Sequence, residues 1–147
     1  MNFLIPALTV SLLMEFAGPP APKGNGVVLV KIEYVRSALG QIRASLFNSA
    51  DGFPGDHTKA AQVASVPITN VDSVMLEFKG VEYGEYAVAL FHDEDNDGQL
   101  KMSEDGMPLE GFAISNDPDV SEVPPTFENS KFTVQSDTVV ITVHMSY

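Results

Sequence analysis

Twelve consecutive residues carry the densest chemistry in the chain: Asp93-Glu94-Asp95-Asn96-Asp97-Gly98-Gln99-Leu100-Lys101-Met102-Ser103-Glu104. They fit the calcium-loop pattern D-x-[DN]-x-[DN]-G-x5-E at every required position. Calcium is a hard cation that takes about six to eight oxygens at about 2.3–2.6 Å. The alternate residues Asp93, Asp95 and Asp97 can turn three carboxylates toward one point. Gly98 permits the sharp turn that follows, Gln99 offers its backbone carbonyl, and Glu104 closes the shell with both oxygens. Leu100 is apolar where such loops anchor to a core. An EF-hand would fix its last carboxylate with an exiting helix. Here Gly106 and Pro108 leave room for about one helical turn, so Asp105 and Glu110 are alternatives to Glu104. The preceding YAVALFH reads as a strand. The expectation is a calcium-type loop between strands, with the metal in a structural role.

The surroundings sharpen that expectation and offer its rival. Of 147 residues, 20 are acidic and 8 basic, for a net charge of −12. Residues 92–122 hold ten of those acids and a single base, Lys101. A run of this kind is either a solvated loop that aids solubility or a cation site, because clustered carboxylates repel unless neutralised. The same balance excludes nucleic acid as a partner, since phosphate contacts need clustered Lys and Arg. With no cysteine there is no thiolate zinc site, no disulfide framework and no Cys nucleophile.

Other candidates are weaker. His92 stands at the strand end before the acidic loop; as a metal ligand it would add nitrogen, but such a His more commonly caps the strand and bonds a loop carboxylate. His57 and His144 are scattered, and no His pair has ligand spacing. Ser115 lacks the Gly-x-Ser-x-Gly context of a hydrolase nucleophile. A glycosidase-type pair can be drawn among Glu94, Glu104 and Glu110, but in so acidic a segment a pair carries no information. Glu110-Gly111 with Ser115-Asn116 reads as a turn packing on the acidic loop. Met102 and Met107 read as packing residues.

The elements that position the loop have a period of two. Val28, Val30, Ile32 and Tyr34 share a face within Val27–Val35; Ile42, Ala44 and Leu46 do so within Gln41–Phe47. The short Ser37–Gly40 link suggests that these two strands form a hairpin. Ser73–Lys79 alternates likewise. Tyr86–Phe91 is apolar on both faces and so reads as a central strand, with Gly80–Gly84 as the turn of a hairpin with the strand before it. The segment Thr138–Met145 is a final strand, and Phe132–Gln135 a short one before it. Helix is confined to about two turns in Thr58–Ala64 and one in Phe127–Ser130. Strands with one apolar and one polar face make antiparallel sheets, and two such sheets make a sandwich. The expected fold class is therefore all-β: a single antiparallel Greek-key β-sandwich of the immunoglobulin or transthyretin kind, with little helix.

The N-terminus adds a compartment. Phe3–Met14 is apolar, uncharged and too short to span a bilayer as a helix. It reads as a signal-peptide core, or alternatively as a buried first strand. The first reading divides the chain into a signal peptide at 1–18, a linker at 19–26 and a β-sandwich domain at 27–147 with its acidic loop at 92–122. It makes the protein exported, either periplasmic or extracellular, with no membrane span.

Several stretches together resemble a known family: Gly84-Glu85-Tyr86-Ala87-Val88-Ala89-Leu90-Phe91-His92-Asp93-Glu94-Asp95, Asp97-Gly98, Gly106-Met107-Pro108-Leu109-Glu110-Gly111-Phe112, Ser115-Asn116, Phe127-Glu128 and Phe132. The chain is similar over about Val27 to its C-terminus to the exported bacterial family 2141 of domains of unknown function. That resemblance implies a transthyretin-like or carboxypeptidase-regulatory-like β-sandwich behind a signal peptide, and it brings no activity. The expected function is a non-enzymatic binding or structural module of the cell envelope, with an envelope protein or a glycan as partner. One rival is a metal-dependent hydrolase using the acidic loop. Another is a calcium-dependent adhesion or carbohydrate-binding module using Phe112 and Phe127 as an aromatic shelf.

Overall fold

The computed structural model describes residues 23–147. The expected signal peptide at 1–18 and the first half of the linker lie outside them. Eight strands follow in order: β1 (Asn25–Glu33), β2 (Gln41–Phe47), β3 (Gln62–Pro67), β4 (Val74–Glu82), β5 (Gly84–Asp93), β6 (Phe112–Ile114), β7 (Phe132–Val134) and β8 (Thr138–His144). A 3-10 turn (His57–Lys59) and one short helix, α1 (Phe127–Ser130), complete the set. Asn25 and Gly26, expected in the linker, already belong to β1.

The strands form two sheets, β4-β1-β8 and β3-β2-β5, the second completed on the far side of β5 by β6 and then β7. Inward-facing Val28, Val30 and Ile32 of β1 meet Ile42 and Leu46 of β2 and Val88 and Leu90 of β5 in one core between the sheets. The all-β sandwich is thus present, but three local expectations give way.

First, β1 and β2 are not a hairpin. β1 pairs with β4 and β8, and β2 with β3 and β5. The short 34–40 link crosses from one sheet to the other, so the two apolar faces meet across the core instead of side by side. Second, β4 and β5 are likewise in different sheets, and Tyr83 is the crossing point rather than a hairpin turn. Alternation reports which face of a strand is buried, and both arrangements bury the same face. Third, the sheets are not wholly antiparallel: β8 runs parallel to β1 from Val27↔Thr138 to Glu33↔His144. A parallel partner needs a long crossover, and the chain between the two strands supplies it.

The segment 58–64 is not two turns of helix. Only His57–Lys59 is helical, and Gln62–Pro67 lies antiparallel along β2. Lys, Ala and Gln favour helix, but the open edge of β2 offers backbone partners that outweigh that preference; the Ala61 N–H already donates to the Leu46 carbonyl at 2.8 Å.

β5 is central, as its two apolar faces require. Its outer face carries a second cluster in which Phe47, Ala87, Ala89, Ile114 and Phe127 pack with Phe53 and Phe112. Phe53 meets Phe47 and Phe127 edge-on, with centroids at 5.3 and 6.2 Å. α1 starts with a capping box: the Asn129 N–H donates to the Thr126 hydroxyl while the Thr126 N–H donates to the Asn129 side-chain carbonyl. That cap seats Phe127 over β5.

Candidate metal centre

β5 ends at Asp93, so the central strand delivers the first carboxylate of the acidic loop to the end of the sandwich. Asp93 is fully buried, whereas Asp95 and Asp97 are exposed. Ligand oxygens of these three residues lie within 4.8 Å of one another, the one such grouping among the described residues. The backbone follows the requirements of the spacing. Asp93 accepts from the N–H groups of Asp97 and Gly98, both at 3.1 Å, and from the Gln41 amide at 3.2 Å. Asp95 accepts from Asp97 N–H at 3.3 Å, and Asp97 from Gln99 N–H at 2.8 Å. Asn96 and Gly98 take positive φ values of 59° and 82°, which bend the loop around its carboxylates.

Two protein cations face the cluster from one side each. The Lys101 ammonium pairs with Asp95 and holds that carboxyl below the usual carboxylate range. The Arg43 guanidinium on β2 approaches Asp93 at 4.0 Å. Asp97 has neither as a partner. Three carboxylates therefore share a small volume with less positive charge than they carry, an arrangement that favours an added cation.

Glu110 is nearly fully buried at 4% exposure and sits just before β6. Its two oxygens accept from the N–H groups of Glu94 at 3.0 Å and Lys101 at 3.1 Å. One carboxylate thus straps both shoulders of the loop; of the turn expected from Glu110-Gly111 and Ser115-Asn116, only Glu110 packs there, because Phe112–Ile114 is strand β6 and Ser115 and Asn116 bond Val88, Ser130 and Lys131 instead. Glu104 and Asp105 are exposed. They lie on a tight turn in which the Ser103 N–H donates to the Met107 carbonyl, the Met107 N–H donates to the Ser103 hydroxyl, and Met102 bridges Pro108. Neither they nor Glu110 joins the 4.8 Å grouping. Gln99 follows the cluster directly, with its N–H engaged by Asp97.

His92 departs from its expected role of bonding a loop carboxylate. It is fully buried; Nε2 donates to the Leu39 carbonyl at 2.7 Å, leaving Nδ1 to accept from the Tyr147 hydroxyl at 2.9 Å. Both partners come from distant chain positions that local spacing does not reveal. The Arg36 guanidinium lies over the Tyr147 ring at 4.4 Å and pairs with Glu94, and that ion pair lowers the Glu94 carboxyl. The 34–40 link is thereby pinned to the first residues of the loop. Gly40 is needed there, because a Cβ would overlap the Asp93 carbonyl oxygen.

Ser115 is buried and structural: its hydroxyl accepts from Val88 N–H at 2.8 Å and donates to the Ser130 carbonyl at 2.6 Å, filling the gap between β6 and β7. Phe127 is buried and Phe112 half-buried in the second cluster. An aromatic shelf for sugars therefore loses the two residues expected to form it.

A family model described as an uncharacterized protein conserved in bacteria (DUF2141) matches residues 30–142. No curated protein and no solved structure matches the chain.

Proposed function

The chain belongs to that bacterial family of domains of unknown function, and from this premise we propose that it is an exported β-sandwich module of the cell envelope stabilised by one calcium ion. Asp93, Asp95 and Asp97 would supply carboxylate oxygens and Gln99 its backbone carbonyl, with Glu104, Asp105 or water completing the shell. The observation that carries this reading is the convergence of the three Asp side chains on the spacing of a calcium loop. The ion's work is mechanical. It ties the end of the central strand to a loop that Glu110 already braces, and a cation bound only by the folded state raises stability. Extracellular sites of this type bind with dissociation constants of about 10⁻⁴–10⁻³ M, so at tenfold excess calcium adds about 1.4 kcal/mol.

Export and envelope location rest on the apolar run Phe3–Met14 and on the family resemblance. The partner would be an envelope protein or a glycan. Thermal melts in calcium and in chelator test the metal reading: the parent protein melts higher in calcium, and Asp93→Ala/Asp97→Ala loses that difference. Equal melting of the parent in calcium and in chelator would remove the structural metal, whatever stability the variant loses through Asp93's own hydrogen bonds. Intact mass of the protein from its native host tests export: loss of about the first 20 residues is expected, and a full N-terminus would count against it.

A further inference from the structure

A strand at the edge of a sheet presents unpaired N–H and C=O groups, and proteins guard such edges with charge, proline, bulges or brevity. Three edges here are guarded. β3 is short and ends in Pro67. β4 carries Glu77, Lys79 and Glu82, and its pairing with β1 slips in register near Gly26. β6 and β7 are three residues each and separated.

β8 is different. Thr138–His144 is a seven-residue strand with β-branched residues at every position but the last, no proline and no acid or lysine. Its parallel ladder with β1 uses alternate residues; the Met145 N–H, for instance, donates to the Glu33 carbonyl at 3.0 Å. By the same alternation the backbone groups of Val140, Thr142 and His144 point away from β1. Ser146, on that side, bonds Phe112 of β6 in both directions. The His144 N–H is taken by Asp117 at 3.0 Å, and the Thr138 carbonyl by the Ser136 hydroxyl at 3.0 Å. Among the described residues nothing bonds the outward N–H and C=O groups of Val140 and Thr142. The Val140 side chain, 59% exposed, stands beside half-buried Leu29 on the outer face of the sheet.

Charge decides the occupant. Asp137 stands at one end of this edge; at the other, about 20 Å away at strand rise, Asp117 and Glu33 share the His144 imidazole and have Lys31 as their one other cation, so the charge offset there is partial. A second copy would bring net charge −12 against −12. We propose that the β8 edge is a strand-addition site for an extended segment of a partner protein, uncharged and β-branched at its centre and basic at both ends. The Val140 and Thr142 backbone groups supply the hydrogen bonds, Val140 and Leu29 the apolar contact, and the flanking carboxylates the charge match.

A fluorescent peptide, Lys-Lys-Thr-Val-Thr-Val-Thr-Lys-Lys, tests this by anisotropy against the full chain. It binds saturably, more weakly as salt rises, and a version with Glu in place of every Lys binds at least about tenfold less. Thr142→Pro removes an outward N–H that the β1 ladder does not use, and weakens binding by about tenfold or more. If Thr142→Pro does not fold, Val140→Lys supplies the same loss by placing a like charge under the peptide. Absence of binding, or binding unchanged in a folded variant, overturns the proposal. So does sedimentation showing a dimer that either variant dissolves, which would make the occupant a second copy.

Discussion

Two places in this sandwich gather carboxylates, and they are built on opposite principles. At the end of β5, Asp93, Asp95 and Asp97 converge within 4.8 Å, with Lys101 on Asp95 and Arg43 at the margin of Asp93. Beside the end of β8, Asp117 and Glu33 flank one imidazole: Asp117 holds His144 Nδ1 at 2.6 Å and Glu33 faces Nε2 at 3.4 Å. Glu33 also pairs with Lys31 at 2.6 Å. The second group carries its own countercharge, and its ionic state is set by a proton. The first carries an excess of negative charge and gains most from an ion it does not itself contain. Carboxylates that look alike in a composition count thus divide by whether their neutralising partner is built in.

The contrast can be broken most forcefully at Asp93. Asp93→Ala removes a buried acceptor shared by two backbone N–H groups and Gln41. Stability should fall by about 1–3 kcal/mol, because the part-buried donors left behind recover only some of their hydrogen bonding from water. Denaturant unfolding measures the loss, and a drop under about half a kcal/mol would show the loop is not braced through this residue. Glu110→Ala comes next. It leaves the N–H groups of Glu94 and Lys101 without their acceptor, at a cost of about 1–2 kcal/mol, and amide exchange in the loop should quicken. Exchange confined to its parent rate would refute the strap.

Lys101→Met sharpens the comparison from the other side. It strips the first group of a built-in cation, so calcium affinity should rise about two- to fivefold, the scale of one exposed ion pair. Weaker binding in this variant would mean that Lys101 helps the loop instead of competing for it.

The smallest effect belongs to His144. Asp117, then Glu33, holds its proton and raises the imidazole above its ordinary value. A raised folded-state value stabilises the protein fully below the unfolded value of about 6.5 and loses that contribution as pH rises through the folded value. The ring is more than a third exposed, so water screens most of the gain. Melting temperature should decline slightly from about pH 6 to 8 in the parent and stay flatter in His144→Asn. Parallel profiles would show that the imidazole is not the titrating group.

How far these features could be read beforehand follows from what sequence spacing encodes. β1, β2, β5 and β8 were legible to within two residues and β4 to within three, because burying one face of a strand forces period two. Their pairing was not, since Val28 and Ile42 present the same alternation whether they lie side by side or face each other across the core. β3 was hidden because it is an edge strand with its Val63 exposed, so its pattern was too weak to oppose the helical bias of Lys59, Ala60 and Ala61. Asp93, Asp95 and Asp97 were legible because a loop's convergence is local. The strap at Glu110 was visible only as a turn packing on the loop; its burial and its two backbone partners depend on where β6 lies against β5. His92 reads from the sequence as a strand cap bonding a loop carboxylate; its full burial and its actual partners are not legible there, because the partners sit 53 and 55 positions away.

The central claim is that the acidic loop is completed by calcium. Calorimetric titration of the chelator-stripped protein, with magnesium as control, tests it most directly. The account predicts about one equivalent of calcium bound in the 10⁻⁴–10⁻³ M range, with magnesium markedly weaker because it resists dehydration and demands tighter octahedral geometry. Absence of heat at several millimolar calcium, or equal heats from both ions, would contradict it and make Asp93–Asp97 an acidic loop held by Glu110, Lys101, Arg43 and its own backbone hydrogen bonds alone.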